Sequence, residues 1–430
     1  MINKILGTAG TRMLNAVFNL VILIVLTREL GSSGFGIISL IILAMTILQL
    51  VIDLVAGSGV IYYTSRKPLF QLLFPAYLWI FFILFIYYLT VVFGSVAFPN
   101  VFHLVVPEGF EIDIVWLTLL NAMMLTHYNL LIGQTRIKIY NTIFVVQISV
   151  LFVSVLFQYL YLGDETVHAF VRGMYLSYGT GTLLGLLAIL PGMKIRSFTG
   201  WFTTTQAVVK YGFISQVANL LHIGNKRFSF WILKYMSGLP AVGIYGAGVQ
   251  LTEGLRLIGQ SISLVQFSSI ANQSSDEYSR QLTIRLMKLS LIVTGMALFI
   301  LMLIPSEVYV LIFKKDFSDL KILIFALSPG VMALAANTIF SGYFAGIGKP
   351  KVSMQVNAIG FVMTLTAAWV LIPLFSYTGA AITASLSYST TVLVQYFIFK
   401  KYTKTTFREW IPNKSDVKAI KSILKTITTK

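Results

Sequence analysis

Cysteine is absent from the 430 residues, which removes disulfides, thiolate metal sites and a cysteine nucleophile together. Charge is scarce as well. Asp, Glu, Lys and Arg make up 11% of the chain, against about 25% in ordinary soluble domains. Histidine occurs 4 times, with no HExxH and no other clustered ligand spacing. No glycine-rich loop runs into Gly-Lys-Ser or Gly-Lys-Thr, so the chain does not drive itself with ATP. Acidic residues do not pair in the way a lipid-phosphate glycosyltransferase needs, and no polar stretch is long enough for a soluble catalytic domain. The chain reads as a non-enzyme that needs no cofactor.

What it has instead is apolar length. Hydrophobic residues make up 57% of the sequence and its mean hydropathy is +0.83. Runs long enough to cross a bilayer as helices, at about 20 residues each, fall near 5–27, 35–62, 73–98, 113–134, 141–162, 167–190, 211–235, 241–268, 286–304, 320–345, 352–374 and 379–399. The first run exceeds a signal-peptide core and lacks a small-residue cleavage site, so it reads as a retained span. This predicts an all-α polytopic membrane protein of about twelve transmembrane helices.

The net charge of +17 follows the same logic. Nucleic-acid binders gather Lys and Arg on soluble surface, of which there is little here, so nucleic acid is not an expected partner. Alternate links instead differ in charge. One side carries about 22 basic residues and the other about 4, a positive-inside asymmetry that puts both termini in the cytoplasm. In the tail from 401 to 430, Val417, Ile420, Ile423, Leu424 and Ile427 share a helical face while Lys418, Lys421 and Lys425 lie largely away from it. Such a segment suits anionic membrane lipids; a solvated basic tail that only fixes topology is the plainer alternative.

The chain also repeats itself weakly. ELGSSGFGIIS (29–39) and YMSGLPAVGIYG (235–246) align at an offset of about 207 residues, and LIGQTRIK (131–138) and AGIGKPK (345–351) at about 215. Both offsets bring six spans onto six. The expected architecture is therefore two six-helix bundles, 1–195 and 196–400, in parallel repeat around a central cavity, followed by the basic amphipathic tail.

Polar side chains inside spans gather on stripes. Span one carries Thr8, Thr11, Arg12, Asn15 and Asn19, and span two carries Thr46, Gln49 and Asp53. Span seven carries Gln216, Asn219, His222 and Lys226 with Arg227 at the edge, and span eight Gln250, Glu253, Arg256 and Gln260. The candidate substrate-binding set is Arg12, Asn15, Asn19, Asp53, Gln216, Asn219, Lys226, Arg227, Glu253 and Arg256. Its sign is positive, which suits an anionic headgroup. Plainer readings stand beside this. Glu253 and Arg256, three residues apart, can neutralise each other on one helix, and Arg12 lies close enough to a span end to snorkel.

The polar first span followed by LTRELGSSGFGIISL, the SGLPAVGIYGAG of 237–248 and the AGIGKPK of 345–351 resemble the bacterial Wzx-type flippases of O-antigen and capsule synthesis. These are polysaccharide biosynthesis proteins of the multidrug/oligosaccharidyl-lipid/polysaccharide exporter superfamily. The resemblance implies a cation-lined cavity and movement of undecaprenyl-diphosphate-linked oligosaccharide from the cytoplasmic to the outer leaflet of the bacterial inner membrane. It implies H+ or Na+ as candidate coupling ions, and glycosyltransferases and a polymerase as candidate partners. Members often have an acid before a base in span seven, where this chain reads Asn225-Lys226-Arg227. A multidrug or cation-coupled exporter of the same superfamily is the first alternative, and a membrane-embedded polymerase or glycosyltransferase the second.

Overall fold

The structure is a computed structural model that describes residues 2–64, 66–97, 106–193, 200–255, 275–349 and 351–410, with 259, 260, 262, 263, 266 and 270 between. Some helix positions in these ranges, 2–10 among them, are described by their backbone alone. No strand occurs among the described residues. The long helices are α1 (Ile2–Ala56), α3 (Leu69–Ala97), α4 (Glu111–Gly133), α5 (Ile137–Leu156), α6 (Val167–Ile189), α7 (Trp201–Glu253), α8 (Asp276–Leu303), α10 (Leu320–Gly346) and α11 (Lys351–Thr403). Short α2 (Ser58–Tyr63) and α9 (Ser306–Phe313) lie between them. Eight of the described helices are long and apolar enough to cross a membrane.

Three helices are each two spans joined at a corner. The corner of α1 is Gly31 (φ 66, ψ −171), that of α7 is Gly238 (φ 78, ψ −177) and that of α11 is Ser376 (φ 51, ψ −131). The two glycines adopt a conformation that a Cβ would strain, and they stand about 207 residues apart, the offset of the sequence repeat. Pro240 then opens the second segment of α7, where a missing N–H costs nothing.

The chain divides into two compact units. Unit 1 comprises 1–220 with 237–247 and 312–317; unit 2 comprises 221–236, 248–311 and 318–430. Within unit 1 the residues after the two glycine corners lie against each other. A Cβ on Gly36 would stand 2.4 Å from the Leu239 carbonyl oxygen, and one on Gly243 1.8 Å from that of Ser32. Each glycine thus faces the repeat-mate of the residue that its own mate faces, a self-complementary contact within one chain. Asp316 caps the start of the second α1 segment, accepting from the Ser32 N–H (3.3 Å) and hydroxyl (3.1 Å).

Other bonds recur in each unit. In unit 1 Tyr175 of α6 donates to Asp113 of α4 (2.8 Å), and Thr182 donates to the Leu120 carbonyl (2.8 Å). In unit 2 Tyr377 of α11 donates to Asp319 just before α10, and Ser385 donates to the Ala326 carbonyl (2.6 Å). Ser385 also accepts from the Gly330 N–H (3.1 Å), so its hydroxyl is inserted into the α10 ladder beside Pro329. Neighbouring side chains thereby replace bonds that lipid cannot supply. At the far end of unit 2, Arg280 bridges Glu277 and Glu409, while Trp410 packs against Phe340, Tyr396 and Phe399.

Candidate functional site

The polar stripe of span two is the best-defined part of the candidate set. Gln49 and Asp53 are one helical turn apart on α1, and the Gln49 amide donates to Asp53 Oδ1 at 2.7 Å. Two other helices of unit 1 reach the same place. Asn121 of α4 donates to Gln49 Oε1 (3.3 Å), and Gln216 of α7 donates to the Asp53 carbonyl (3.2 Å). Two turns beyond Asn121, Asn129 donates to the Ala56 carbonyl (2.9 Å), where α1 ends at Gly57. Gln49 and Gln216 are buried, and Asp53, Asn121 and Asn129 are half-buried. A carboxylate at membrane depth is costly against lipid and calls for polar partners, of which the Gln49 amide is one.

Of the expected residues, Asp53 and Gln216 are therefore brought together. Asn15 and Asn19 are half-buried on the first segment of α1. Arg227 is half-buried in unit 2, its guanidinium 5.3 Å from the centre of the Phe230 ring. The side chains of Arg12, Asn219, Lys226 and Glu253, and residue Arg256 as a whole, lie outside the described residues.

Asn121 and Asn129 went unremarked in the sequence because each is a lone amide on a largely apolar helix, with no stripe of its own. Their signal was an eight-residue spacing that puts both near one face of α4. Asn225 carries a second finding. It is 3% exposed, and its Oδ1 accepts from Thr364 and Ser387, each at 2.5 Å. The position where the resembled family often has an acid is here a neutral hydrogen-bonded joint between α7 and α11. His127 is likewise structural: its Nδ1 donates to the Thr182 carbonyl (3.1 Å) and Tyr77 bonds its Nε2. Arg172 donates to Gln158 (2.8 Å) and pairs with Asp164. Bonds from Thr166 first, then from Arg172, hold the Asp164 carboxyl below its usual range.

No protein-family model matches the chain. Two curated proteins share part of its sequence. An uncharacterized membrane protein of Methanocaldococcus jannaschii is 27% identical over 42% of this chain and 36% of its own length. The capsular polysaccharide biosynthesis protein CapF of Staphylococcus aureus is 24% identical over 40% of this chain and 44% of its own. The matched region thus spans less than half the length of either relative. Among solved structures, the lipid II flippase MurJ in an inward closed conformation superposes with TM-score 0.69 and 14% identity, covering 95% of this chain and 89% of MurJ. An inward-facing multidrug resistance MATE family transporter of the MOP superfamily gives 0.67 and 14%, covering 93% and 98%. A MOP superfamily transporter from Pyrococcus furiosus gives 0.62 and 12%, covering 94% and 96%. At such identities the likeness establishes the fold: this chain is an all-α, multi-pass membrane protein built as MOP superfamily transporters are.

Proposed function

We propose that this protein flips an undecaprenyl-diphosphate-linked oligosaccharide from the cytoplasmic to the outer leaflet of a bacterial plasma membrane, for surface polysaccharide assembly. The observation that carries the reading is the sign of the ionisable residues in spans one, two, seven and eight. Arg12, Lys226, Arg227 and Arg256 outnumber Asp53 and Glu253. A diphosphate is strongly anionic and crosses hydrocarbon only if fixed cations replace its water. The prenyl chain can stay in the bilayer meanwhile, and the binding surfaces would open to each leaflet in turn. A fold shared with a lipid II flippase, and partial likeness to a capsular polysaccharide protein, support the same direction. Both termini would lie in the cytoplasm. The rival, export of a cationic compound, would draw on Asp53 as an intramembrane acid.

The test is replacement of Arg227 or Arg256 in a host whose own copy is deleted. Alanine variants present at normal membrane abundance should abolish surface polysaccharide. Lysine at the same position restores part of it if charge alone is needed, and little if the guanidinium grips phosphate at two points. Normal polysaccharide from alanine variants of Arg12, Lys226, Arg227 and Arg256 alike would overturn the cationic mechanism.

A further inference from the structure

The amide row of unit 1, Gln49, Asp53, Asn121 and Asn129, contains no cation of its own. Its one ionisable group is the Asp53 carboxyl, which in its charged form repels phosphate, and like-charge juxtaposition of this kind disfavours binding. The remaining groups are neutral amides, each offering one acceptor and two donors. Their internal bonds consume only part of that capacity. Asp53 Oδ2, Asn121 Oδ1 and Asn129 Oδ1 accept no hydrogen bond from any described residue. The internal bonds also set the directions of the free atoms. Gln49 is gripped from both sides, by Asp53 at 2.7 Å and Asn121 at 3.3 Å, and the Asp53 main chain is held by Gln216. Side chains braced like this lose little freedom when a ligand arrives.

A ligand for such a row must donate and accept in alternation along its length and carry no negative charge at that point. Sugar hydroxyls do both, and neighbouring hydroxyls on a ring match a carboxylate with an adjacent amide. We infer that Asp53, Gln49, Asn121 and Asn129 form a sugar subsite within unit 1 that selects the glycosylated carrier lipid over the bare one. This rests on the flippase reading above and assigns the half of the substrate that the cations leave unread. Gln49, Asn121 and Asn129 are specificity residues on this view, and Asp53 is freed from any duty to the phosphate.

The experiment compares two probes on the full-length protein in lipid nanodiscs: undecaprenyl diphosphate, and undecaprenyl diphosphate carrying N-acetylglucosamine. Binding of each is titrated for the native protein, Asn121→Ala and Gln49→Ala. The native protein should prefer the glycosylated probe. Asn121→Ala should lower that preference about three- to tenfold, as loss of one or two neutral hydrogen bonds does, with the affinity for the bare lipid unchanged. Unchanged bare-lipid affinity also reports that the variant is folded. If Gln49→Ala, which strips Asp53 of its partner, fails to fold, Asn129→Ala replaces it and should behave as Asn121→Ala. A native protein without preference for the glycosylated probe, or variants that keep the preference in full, overturns the sugar subsite. Failure of the native protein to bind either lipid instead overturns the flippase reading.

Discussion

Gly243→Ala tests the packing of the two corners most severely. The added Cβ would stand 1.8 Å from the Ser32 carbonyl oxygen and 2.7 Å from its carbon, both backbone atoms that cannot rotate away. Reaching even a tight 3.0 Å contact needs more than 1 Å of separation between the two segments. Ordinary overpacking costs about 1–3 kcal/mol, and a clash with backbone belongs at or above the top of that range. The gain from replacing glycine by alanine inside a helix, about 1 kcal/mol, offsets part of it. A net loss of about 2 kcal/mol or more is expected. Gly36→Ala, with its Cβ 2.4 Å from the Leu239 carbonyl oxygen, should follow closely. Gly179→Ala is the control: nothing lies within 4 Å of the added Cβ, so only the helical gain applies. The assay is the fraction of detergent-solubilised protein surviving graded heating, read by size-exclusion chromatography. Gly179→Ala should melt at or above the native protein and Gly243→Ala well below it. Equal melting of Gly243→Ala and the native protein would refute the self-complementary contact.

Ser385→Ala should cost about 0.5–1.5 kcal/mol, because it removes the hydroxyl that bonds both the Gly330 N–H and the Ala326 carbonyl beside Pro329; the same heating assay reads it. Bonds from Thr406, with the Arg280 guanidinium added, hold Glu409 below the usual carboxylate range. A depressed acid stabilises above its unfolded pKa and stops doing so as pH falls through its folded one. Trp410 should therefore leave its aromatic contacts on acidification to below the ordinary glutamate range, and a Glu409→Gln variant should already show the released fluorescence at neutral pH in a protein keeping only Trp410. For topology, the natural absence of cysteine makes single-cysteine variants clean. Cysteines replacing Ser33, Asp164 and Ser376 should react with an impermeant reagent outside intact cells, and those replacing Ser65 and Ser415 should not; the reverse pattern overturns the orientation.

Much of this fold was legible because the bilayer allows few solutions. A run such as 113–134, apolar and bounded by Glu111 and Arg136, has only a helix open to it. The glycine links were legible too, since the aligned 29–39 and 235–246 segments carry the Gly31 and Gly238 corners at the shared offset. Three points were not. The runs 352–374 and 379–399 leave a break around Ser376, but nothing in them says that a non-glycine residue takes the left-handed conformation there (φ 51). The link between Gln49 and Asn121 joins residues 72 apart, and helical periodicity places each on its own stripe without saying which stripes meet. Asn225 read as a missing acid, whereas the structure gives it two hydroxyl donors from α11 and thus a structural reason to be neutral.

The flippase reading is tested most directly by reconstitution. Purified protein in liposomes is given a fluorescent undecaprenyl-diphosphate glycolipid, and a membrane-impermeant quencher reports how much of it becomes accessible from outside. The native protein should carry the inner-leaflet pool outward, while an Arg227→Ala variant leaves that pool protected and neither expels ethidium, a cationic dye. Protected glycolipid together with ethidium export by the native protein would contradict it and make the chain a cation exporter.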